Sequence, residues 1–413
     1  MPDFPSGSAE AASIETRTSW VVAFAALAIM SISYGAPLVA VVALKPIAAD
    51  LGSAREVPSL AYSLAWFGTA VGGLAMGRIA ERIGVRWTAG FGALMIGLGL
   101  FVATLGAAWQ LYLGYGLLVG LIGNAGINAP LYIYVSHWFD RRRGTALALI
   151  SSGQYVAGAL WPPLFEHAVA LYGWQRTMVA FGIVVAATVL PLALLLRRPP
   201  AAREAAIAAA PRGGHRVFGW PPNAVLALLA AASFCCCVPM AMPQGHLIAL
   251  CTDLGISAAH GAAMLSLLLG TAFVSRQFWG WLSDRIGGLP TVLISSLWQA
   301  SALTALALTQ DETGLFIVSA VFGFGFSGII PAYVLALRQL FPAAEAAWRV
   351  PVLLLCSGSG MAAGGWLAGA IYDHFGFYAP ALATGIGFNI LNLALVGTLV
   401  ARQRTELYRA AVA

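Results

Sequence analysis

Apolar runs of about twenty residues follow one another along the whole chain, and short polar stretches separate them. A helix of this length spans the ~30 Å hydrocarbon core of a bilayer at ~1.5 Å rise per residue. The pattern predicts an all-α polytopic membrane protein with twelve transmembrane helices, at residues 19–44, 56–77, 87–107, 109–138, 144–170, 174–196, 222–250, 257–282, 289–309, 313–340, 347–371 and 378–401.

A stretch rich in arginine, proline and alanine interrupts this series at residues 197–221. We predict that it is a cytoplasmic linker between two six-helix bundles, at residues 19–196 and 222–401. Residues 1–18 and 402–413 are then short cytoplasmic tails.

The two predicted bundles share short motifs at a nearly constant offset. Gly77–Gly84 (GRIAERIG) recurs 203 residues later as Gly280–Gly287 (GWLSDRIG). Pro130–Tyr132 recurs 201 residues later as Pro331–Tyr333. Parallel repeats of this kind are typical of transporters, in which the pathway lies between the halves near the membrane midplane. We therefore expect two pseudo-symmetric halves.

The composition excludes an ordinary soluble protein. Hydrophobic residues make up 60% of the chain and charged residues 9%, whereas soluble domains carry about 25% charged residues. The net charge of +6 is distributed over short loops, which argues against a nucleic-acid partner. The five cysteines show neither metal-ligand spacing nor a disulfide framework. We expect no metal and no cofactor.

Basic residues are distributed unequally between the two sides of the predicted helices. With the N-terminus in the cytoplasm, 18 of the 22 lysines and arginines fall on cytoplasmic segments. Lys45, Arg55 and Arg176 fall on the opposite side, and Arg276 falls within a helix. By the positive-inside rule this predicts a multi-pass protein of the inner (plasma) membrane with both termini in the cytoplasm. We expect a monomer in the lipid bilayer.

The loop after the second predicted helix resembles the signature G-x-x-x-D-R-x-G-x-R of the major facilitator superfamily. It reads Gly77, Glu81, Arg82, Gly84 and Arg86, with Glu in place of the usual Asp. The resemblance covers the whole chain and implies the superfamily's fold of two six-helix bundles. It also implies that the acid at position 81 lies near a helix N-terminus of the other bundle, where a carboxylate is favoured.

The same resemblance implies a gate on the cytoplasmic side. Its predicted members are Glu81, Arg82 and Arg86, together with Asp284 and Arg285 from the second copy of the motif.

A narrower resemblance is to the monocarboxylate transporters and the oxalate/formate-type anion transporters. Three stretches carry it, Ser33–Pro37, Trp138–Ala146 and Arg276–Gly280. The lysine that the animal carriers place after the first-helix proline is Leu38 here, and the second cation of the oxalate carrier is missing. The resemblance implies a substrate with one carboxylate, and it leaves proton coupling and anion exchange both open.

Arg276 is the leading candidate for substrate binding. Counting back from the polar end of its helix places it about 10 Å inside the membrane. A charge at this depth is costly unless it faces protein, water or a counter-ion. We interpret Arg276 as a cation that binds a substrate carboxylate. The alternative is a side chain that extends to the membrane surface.

Five further residues are candidates with weaker support. Tyr132 and Tyr333 come from equivalent helices at a depth similar to that of Arg276, and would donate hydroxyls to the same carboxylate. Tyr34 and Asn128 are candidate substrate contacts, and His246 is a candidate proton site because histidine titrates near neutral pH. The alternatives are ordinary packing and structural hydrogen bonds.

Together these patterns predict a secondary transporter of a small organic anion, above all a monocarboxylate, by proton symport or anion exchange. An efflux pump for drugs or other small metabolites is the alternative. An enzyme is not expected, because the six histidines show no paired metal-binding spacing. A non-transporting sensor would need an output domain, and we find no segment for one.

Overall fold

The computed structural model describes residues 15–139, 142–196 and 217–412. Most of the predicted linker and of the N-terminal tail lies outside these ranges. The long helices are α1 (Arg17–Val42), α2 (Glu56–Ile83), α3 (Val85–Ala103), α4 (Ala108–Ser136), α5 (Arg143–Ser151 and Gly153–Tyr172), α6 (Trp174–Leu194), α7 (Pro222–Asp253), α8 (Ala258–Ile286), α9 (Gly288–Leu308), α10 (Glu312–Leu340), α11 (Ala343–Phe375) and α12 (Ala379–Val412).

Eleven helices in the described part of the chain are long and apolar enough to cross a membrane. The helix that falls outside this set is α5, which is divided at Ser152 and carries two prolines, Glu166 and His167 in its longer part. The all-α prediction is confirmed, with eleven rather than twelve helices meeting this criterion.

Several helices are longer than their apolar runs. The second was predicted to end at residue 77, but α2 continues to Ile83. The last was predicted to end at residue 401, but α12 continues to Val412. Arginine, glutamate, alanine and leucine are good helix formers, so these helices extend beyond their apolar runs.

The repeated motifs adopt the same backbone in both halves. Gly84 ends α2 with φ 94° and ψ 143°, and Gly287 ends α8 with φ 88° and ψ 165°. The amide of each donates to the residue four positions earlier, and the next helix begins at once. Residues with a Cβ hardly ever adopt this region. The sequence repeat is thus a repeated turn that reverses the chain between two helices.

The halves, α1–α6 and α7–α12, meet where α2 packs on α11 and α5 packs on α8. Glycines permit this close approach. A Cβ on Gly358 would lie 2.7 Å from the Ala70 Cβ, and one on Gly158 would lie 2.0 Å from Leu269 Cδ1. Small residues at such crossings are the usual basis of helix packing in membranes.

A substitution at Gly287 tests the turn. Gly287→Ala puts a Cβ on a backbone that only glycine adopts readily, so we expect a loss of about 1–3 kcal/mol in stability. The nearest non-neighbouring atom to that Cβ would be 3.6 Å away, so the loss reports conformation rather than a clash. The measurement is the thermal unfolding midpoint in detergent.

Gly280→Ala is the matched control, because Gly280 lies within α8 and, apart from the local backbone of that helix, no described atom lies within 4 Å of the place that its Cβ would take. Alanine is the better helix former, so this variant should be as stable as the wild type or more so. Equal midpoints for the two variants would contradict the account of the turn.

Candidate functional site

The helix ends define two sides of the molecule. We call the side on which α2 ends and α3 begins the linker side, and the side on which α1 ends and α2 begins the far side. A central pocket lies between the halves. Its wall is formed by α1, α2, α5, α7 and α8, and the surrounding atoms leave about 340 Å³ of empty space, including the part open to solvent. The lining residues are Tyr34, Pro37, Leu38, Tyr62, Trp66, Gln154, Tyr155, Gln244 and Leu269.

A break in α1 brings Tyr34 to this pocket. The first segment of α1 ends at Ser33 and the second begins at Gly35. Pro37 has no amide hydrogen to donate to the carbonyl of Ser33, which weakens the helix at this point. Gly35 permits the ring of Phe181 to approach the backbone, since a Cβ there would lie 2.5 Å from Phe181 Cζ.

Arg276 lies in a cluster of phenol rings. Its Cζ atom is 5.2 Å from the centroid of the Tyr155 ring, within the range of a cation–π interaction. Its charge also acts on the hydroxyl groups of Tyr34 and Tyr132. The side-chain amide of Asn128 donates a hydrogen bond to the Tyr34 hydroxyl. Four of the predicted substrate contacts are therefore close together, with Tyr155 as a fifth member.

Among the described residues, Arg276 has no carboxylate partner. It is half-buried, and no Asp or Glu in the described part of the chain lies within 4 Å of its guanidinium. The side-chain oxygen of Asn128 is buried and also lacks a hydrogen-bond partner among described residues. Arg276 thus lies beside the pocket residue Tyr155 as a cation without an acidic partner among the described residues.

Tyr333 lies elsewhere. It is fully buried within the second half, where its hydroxyl donates to Asn392 Oδ1. Asn392 in turn donates to Ser296 Oγ at 2.8 Å. The expectation that Tyr333 joins Arg276 was based on depth, and depth along a helix does not specify which way a side chain points. We do not retain Tyr333 as a substrate contact.

His246 also lies away from Arg276, on the α7 segment nearer the far side. Its Nε2 is 2.8 Å from the carbonyl oxygen of Gly365, and its Nδ1 is 3.0 Å from the Tyr378 hydroxyl. A carbonyl can only accept, so Nε2 carries a proton and donates to Gly365. His246 thus takes part in the packing between α7 and α11 through both ring nitrogens, and its role as a proton site stays a prediction.

The predicted gate residues are exposed on the linker side. Between described residues, none of the five forms an ion pair within 4 Å. The guanidinium carbons of two of them lie over indole rings, Arg86 at 5.2 Å from the Trp87 centroid and Arg285 at 4.1 Å from the Trp281 centroid. These residues thus form no ion-paired gate with one another or with the rest of the described chain in this conformation.

The opposite arrangement holds on the far side. Arg55 Nη1 and Nη2 donate to the two carboxylate oxygens of Asp253 at 2.6 and 2.7 Å. Lys45 Nζ lies 2.6 Å from the same carboxylate, and Arg55 Nη1 also donates to the Tyr378 hydroxyl at 3.1 Å. Burial acts to lower the pKa of Arg55, but the hydrogen bonds to Asp253 and Tyr378 raise it above the usual value. The guanidinium therefore stays charged.

A second acid completes this arrangement. Asp373, near the end of α11, accepts hydrogen bonds from the backbone amides of Arg55 at 3.0 Å and Glu56 at 2.6 Å. Trp366 Nε1 donates to the Glu56 carboxylate at 2.8 Å. We call the set Lys45, Arg55, Glu56, Asp253 and Asp373 the far-side contact. Among the described residues, every hydrogen bond or ion pair that joins the first half to the second involves Lys45, Arg55 or Glu56.

Comparison with known proteins shows the family to which this two-bundle fold belongs. The profile of the Major Facilitator Superfamily matches residues 19–247 and 229–410. The chain belongs to this superfamily.

Among superfamily members, the chain is 24% identical to monocarboxylate transporter 13 of Bos taurus over 355 residues, which is 83% of this chain and 79% of the relative. It is 24% identical to the uncharacterized MFS-type transporter YcxA of Bacillus subtilis over 297 residues, 69% of this chain and 72% of the relative. The predicted resemblance to the monocarboxylate-transporter branch is confirmed.

The fold is likewise that of solved superfamily structures. A bacterial homologue of the human lysosomal transporter Spinster, in an inward-facing and occupied conformation, superposes with a TM-score of 0.67 at 17% identity. The match covers 94% of this chain and 96% of that one. The superfamily relatives and structural neighbours are transporters, so this chain is a multi-pass membrane transporter with a small-molecule substrate.

The far-side contact was not predicted from the sequence. Lys45 and Arg55 are two of the three cations expected opposite the linker side, but the sequence pattern assigns them no role. Asp253 is 198 positions from Arg55, and no local motif relates them. One feature of the sequence could have indicated the contact. Cations are rare on the far side, and both Lys45 and Arg55 lie near the connection between α1 and α2, where an acidic partner would be expected.

The hydrogen bond between Asn128 and Tyr34 is testable through a double-mutant cycle. Tyr34→Phe leaves the Asn128 amide without its acceptor, so we expect a loss of about 1–3 kcal/mol in stability. Asn128→Leu in the same chain removes the orphaned amide and should restore most of that loss. The measurement is the unfolding midpoint in detergent for the wild type, both single variants and the double variant.

Tyr172→Phe is the control for loss of a tyrosine hydroxyl, since Tyr172 is 64% exposed. It should change stability by less than about 0.5 kcal/mol. Simple addition of the two single losses would show that Tyr34 and Asn128 do not interact.

Proposed function

We propose that this protein is a secondary transporter of a small monocarboxylate, which binds with its carboxylate on Arg276. The observation that carries the proposal is the Arg276 guanidinium, which lies over the ring of the pocket residue Tyr155 and has no acidic partner within 4 Å among the described residues. Substrate moves by alternating access between the two halves, without ATP and without a bound cofactor.

The charge of Arg276 explains why the substrate is an anion. A cation within the membrane is unfavourable unless a counter-ion accompanies it. A carboxylate can accept two parallel hydrogen bonds from a guanidinium. Tyr34 and Tyr132 supply hydroxyl donors from the first half, and Asn128 supplies a further polar contact. None of the residues that line the pocket is a lysine or an arginine, so Arg276 beside Tyr155 is the cation that we assign to the substrate, and we propose that it binds one carboxylate.

The remaining pocket wall indicates the rest of the substrate. Leu38, Leu269 and Pro37 are apolar, and Trp66 lies between the rings of Tyr34 and Tyr62 at centroid distances of 5.8 and 6.4 Å. Such a wall favours an apolar body and offers faces on which a planar ring can stack. We propose a monocarboxylate whose body is apolar and larger than a methyl group. The name of the relative monocarboxylate transporter 13 is consistent with the carboxylate.

The orientation of the protein follows from charge. The arginine-rich segments lie on the linker side, so this side is cytoplasmic in the inner membrane and both termini lie there. The far-side contact then closes the outer side, and the conformation is inward-facing. We propose that the protein works as a monomer of two bundles at residues 19–196 and 222–401, which the linker at 197–221 joins.

The first experiment is uptake of labelled carboxylates into proteoliposomes, with the wild type beside Arg276→Ala and Arg276→Lys. We expect Arg276→Ala to lose at least about tenfold in uptake, because a charge-assisted hydrogen bond contributes about 1.5–3 kcal/mol. Arg276→Lys keeps the charge but not the parallel pair of donors, so its uptake should be intermediate.

Arg404→Ala is the control for loss of an exposed arginine, near the end of α12, and should transport normally. An inward proton gradient and, separately, preloaded unlabelled acid distinguish symport from exchange. Normal uptake by Arg276→Ala, or transport of only cations and neutral compounds, would contradict the assignment of a carboxylate substrate. Membership of the superfamily would not be affected.

The apolar wall gives a prediction about selectivity. Phenylacetate should compete with the labelled substrate at lower concentration than acetate does. Trp66→Ala should weaken competition by phenylacetate about 2- to 10-fold, since an aromatic contact contributes about 0.5–1.5 kcal/mol, and should leave competition by acetate nearly unchanged. Stronger competition by acetate in the wild type would contradict the proposed body while leaving the role of Arg276 intact.

A further inference from the structure

The start of α2 has no cap from its own half. The residue before its first turn is Arg55, whose side chain makes no capping hydrogen bond. The first amides of any helix have no partner within the helix, and the helix dipole makes this end positive. Asp373 of α11 fills the role from the other half, because each of its carboxylate oxygens accepts one of the amides of Arg55 and Glu56.

The surrounding packing fits this cap closely. Gly369 lies one turn before Asp373, and a Cβ on it would come within 2.5 Å of Ser59 Oγ and 3.2 Å of the Arg55 carbonyl oxygen. One turn before Gly369 in α11, a Cβ on Gly365 would lie 2.8 Å from Ser63 Oγ. The glycines let the end of α11 lie directly against the start of α2, so the Asp373 carboxylate reaches backbone rather than side chain.

The cap can exist in only one conformation. When the far side opens, the end of α11 must move away from the start of α2, because the two belong to different halves. The amides of Arg55 and Glu56 then lose their acceptor, and the bidentate contact from Arg55 to Asp253 is broken at the same time. Both interactions favour the closed far side and neither stabilises the fold of one half alone.

We propose that Asp373 is a gating residue, which stabilises the state with the far side closed by capping α2 from the other half. The inference goes beyond the proposed substrate, since it requires only that the halves separate on the far side. Asp253 contributes to the same contact. Asp373 accepts hydrogen bonds from the backbone at the start of α2, whereas Asp253 accepts them from the side chain of Arg55.

The test is the distance between spin labels on the far side, at cysteines introduced for Ala54 in the first half and Ala259 at the start of α8. Both positions are exposed. The full chain is used with its five native cysteines replaced by alanine, after wild-type thermal stability has been confirmed. We expect Asp373→Ala to raise the population with the longer distance by about fivefold, the usual effect of losing a helix cap.

Two variants separate gating from a general structural role. Asp373→Glu keeps a carboxylate and should restore most of the short-distance population. Glu345→Gln removes a carboxylate from the first turn of the same helix, but this one pairs with Arg349 within its own half at 2.8 Å. It should leave the distance distribution unchanged.

Asp373→Asn is the variant to use if Asp373→Ala does not fold, because it keeps the size of the side chain and one acceptor oxygen. It should give an intermediate shift. A folded Asp373→Ala or Asp373→Asn protein with the wild-type distance distribution would overturn the proposal. So would an equal shift in Glu345→Gln.

Discussion

The ion pair between Arg55 and Asp253 is the interaction on which the observed conformation depends. The two side chains are 14% and 24% exposed, so water can reach them when the halves separate. This is the property a reversible contact needs. A large apolar interface would hold the halves together more firmly, but each opening would expose it to water at a cost of about 25 cal/mol per Å². Charged groups regain hydration instead, which keeps the closed and open states close in free energy.

The residues of the proposed substrate site, like those of the far-side contact, are divided between the two halves. Tyr34, Asn128, Tyr132 and Tyr155 belong to the first half, whereas Arg276 belongs to the second. A carboxylate on Arg276 that also accepts hydrogen bonds from these hydroxyls interacts with both halves at once. Such a ligand favours conformations in which the halves lie close around it, because only there are all its contacts made. If the substrate binds as proposed, binding and closure are linked through the division of these residues between the halves.

The sequence predicted those features that depend on local pattern or on a repeated motif. The apolar runs located the helices, and the motif that ends at Gly84 and again at Gly287 predicted two related halves, in which the structure shows the same turn twice. It could not predict that Tyr333 points into its own bundle, since the rotation of a helix about its axis depends on its neighbours. Nor could it pair Arg55 with Asp253, because that contact forms only after the two halves have packed together.

The helices α2 and α11 lie side by side in opposite directions, so each begins where the other ends. Asp373 near the end of α11 meets the start of α2, while Glu81 near the end of α2 lies at the level where α11 starts. The superfamily resemblance gives Glu81 the corresponding contact on the linker side. Closing one side separates the helices on the other, so the two acids cannot both be satisfied. Here Asp373 has its partners and Glu81 is exposed. A helix pair with one acid near each end gains similar interactions in either state, and alternating access requires two states that a small ligand can shift.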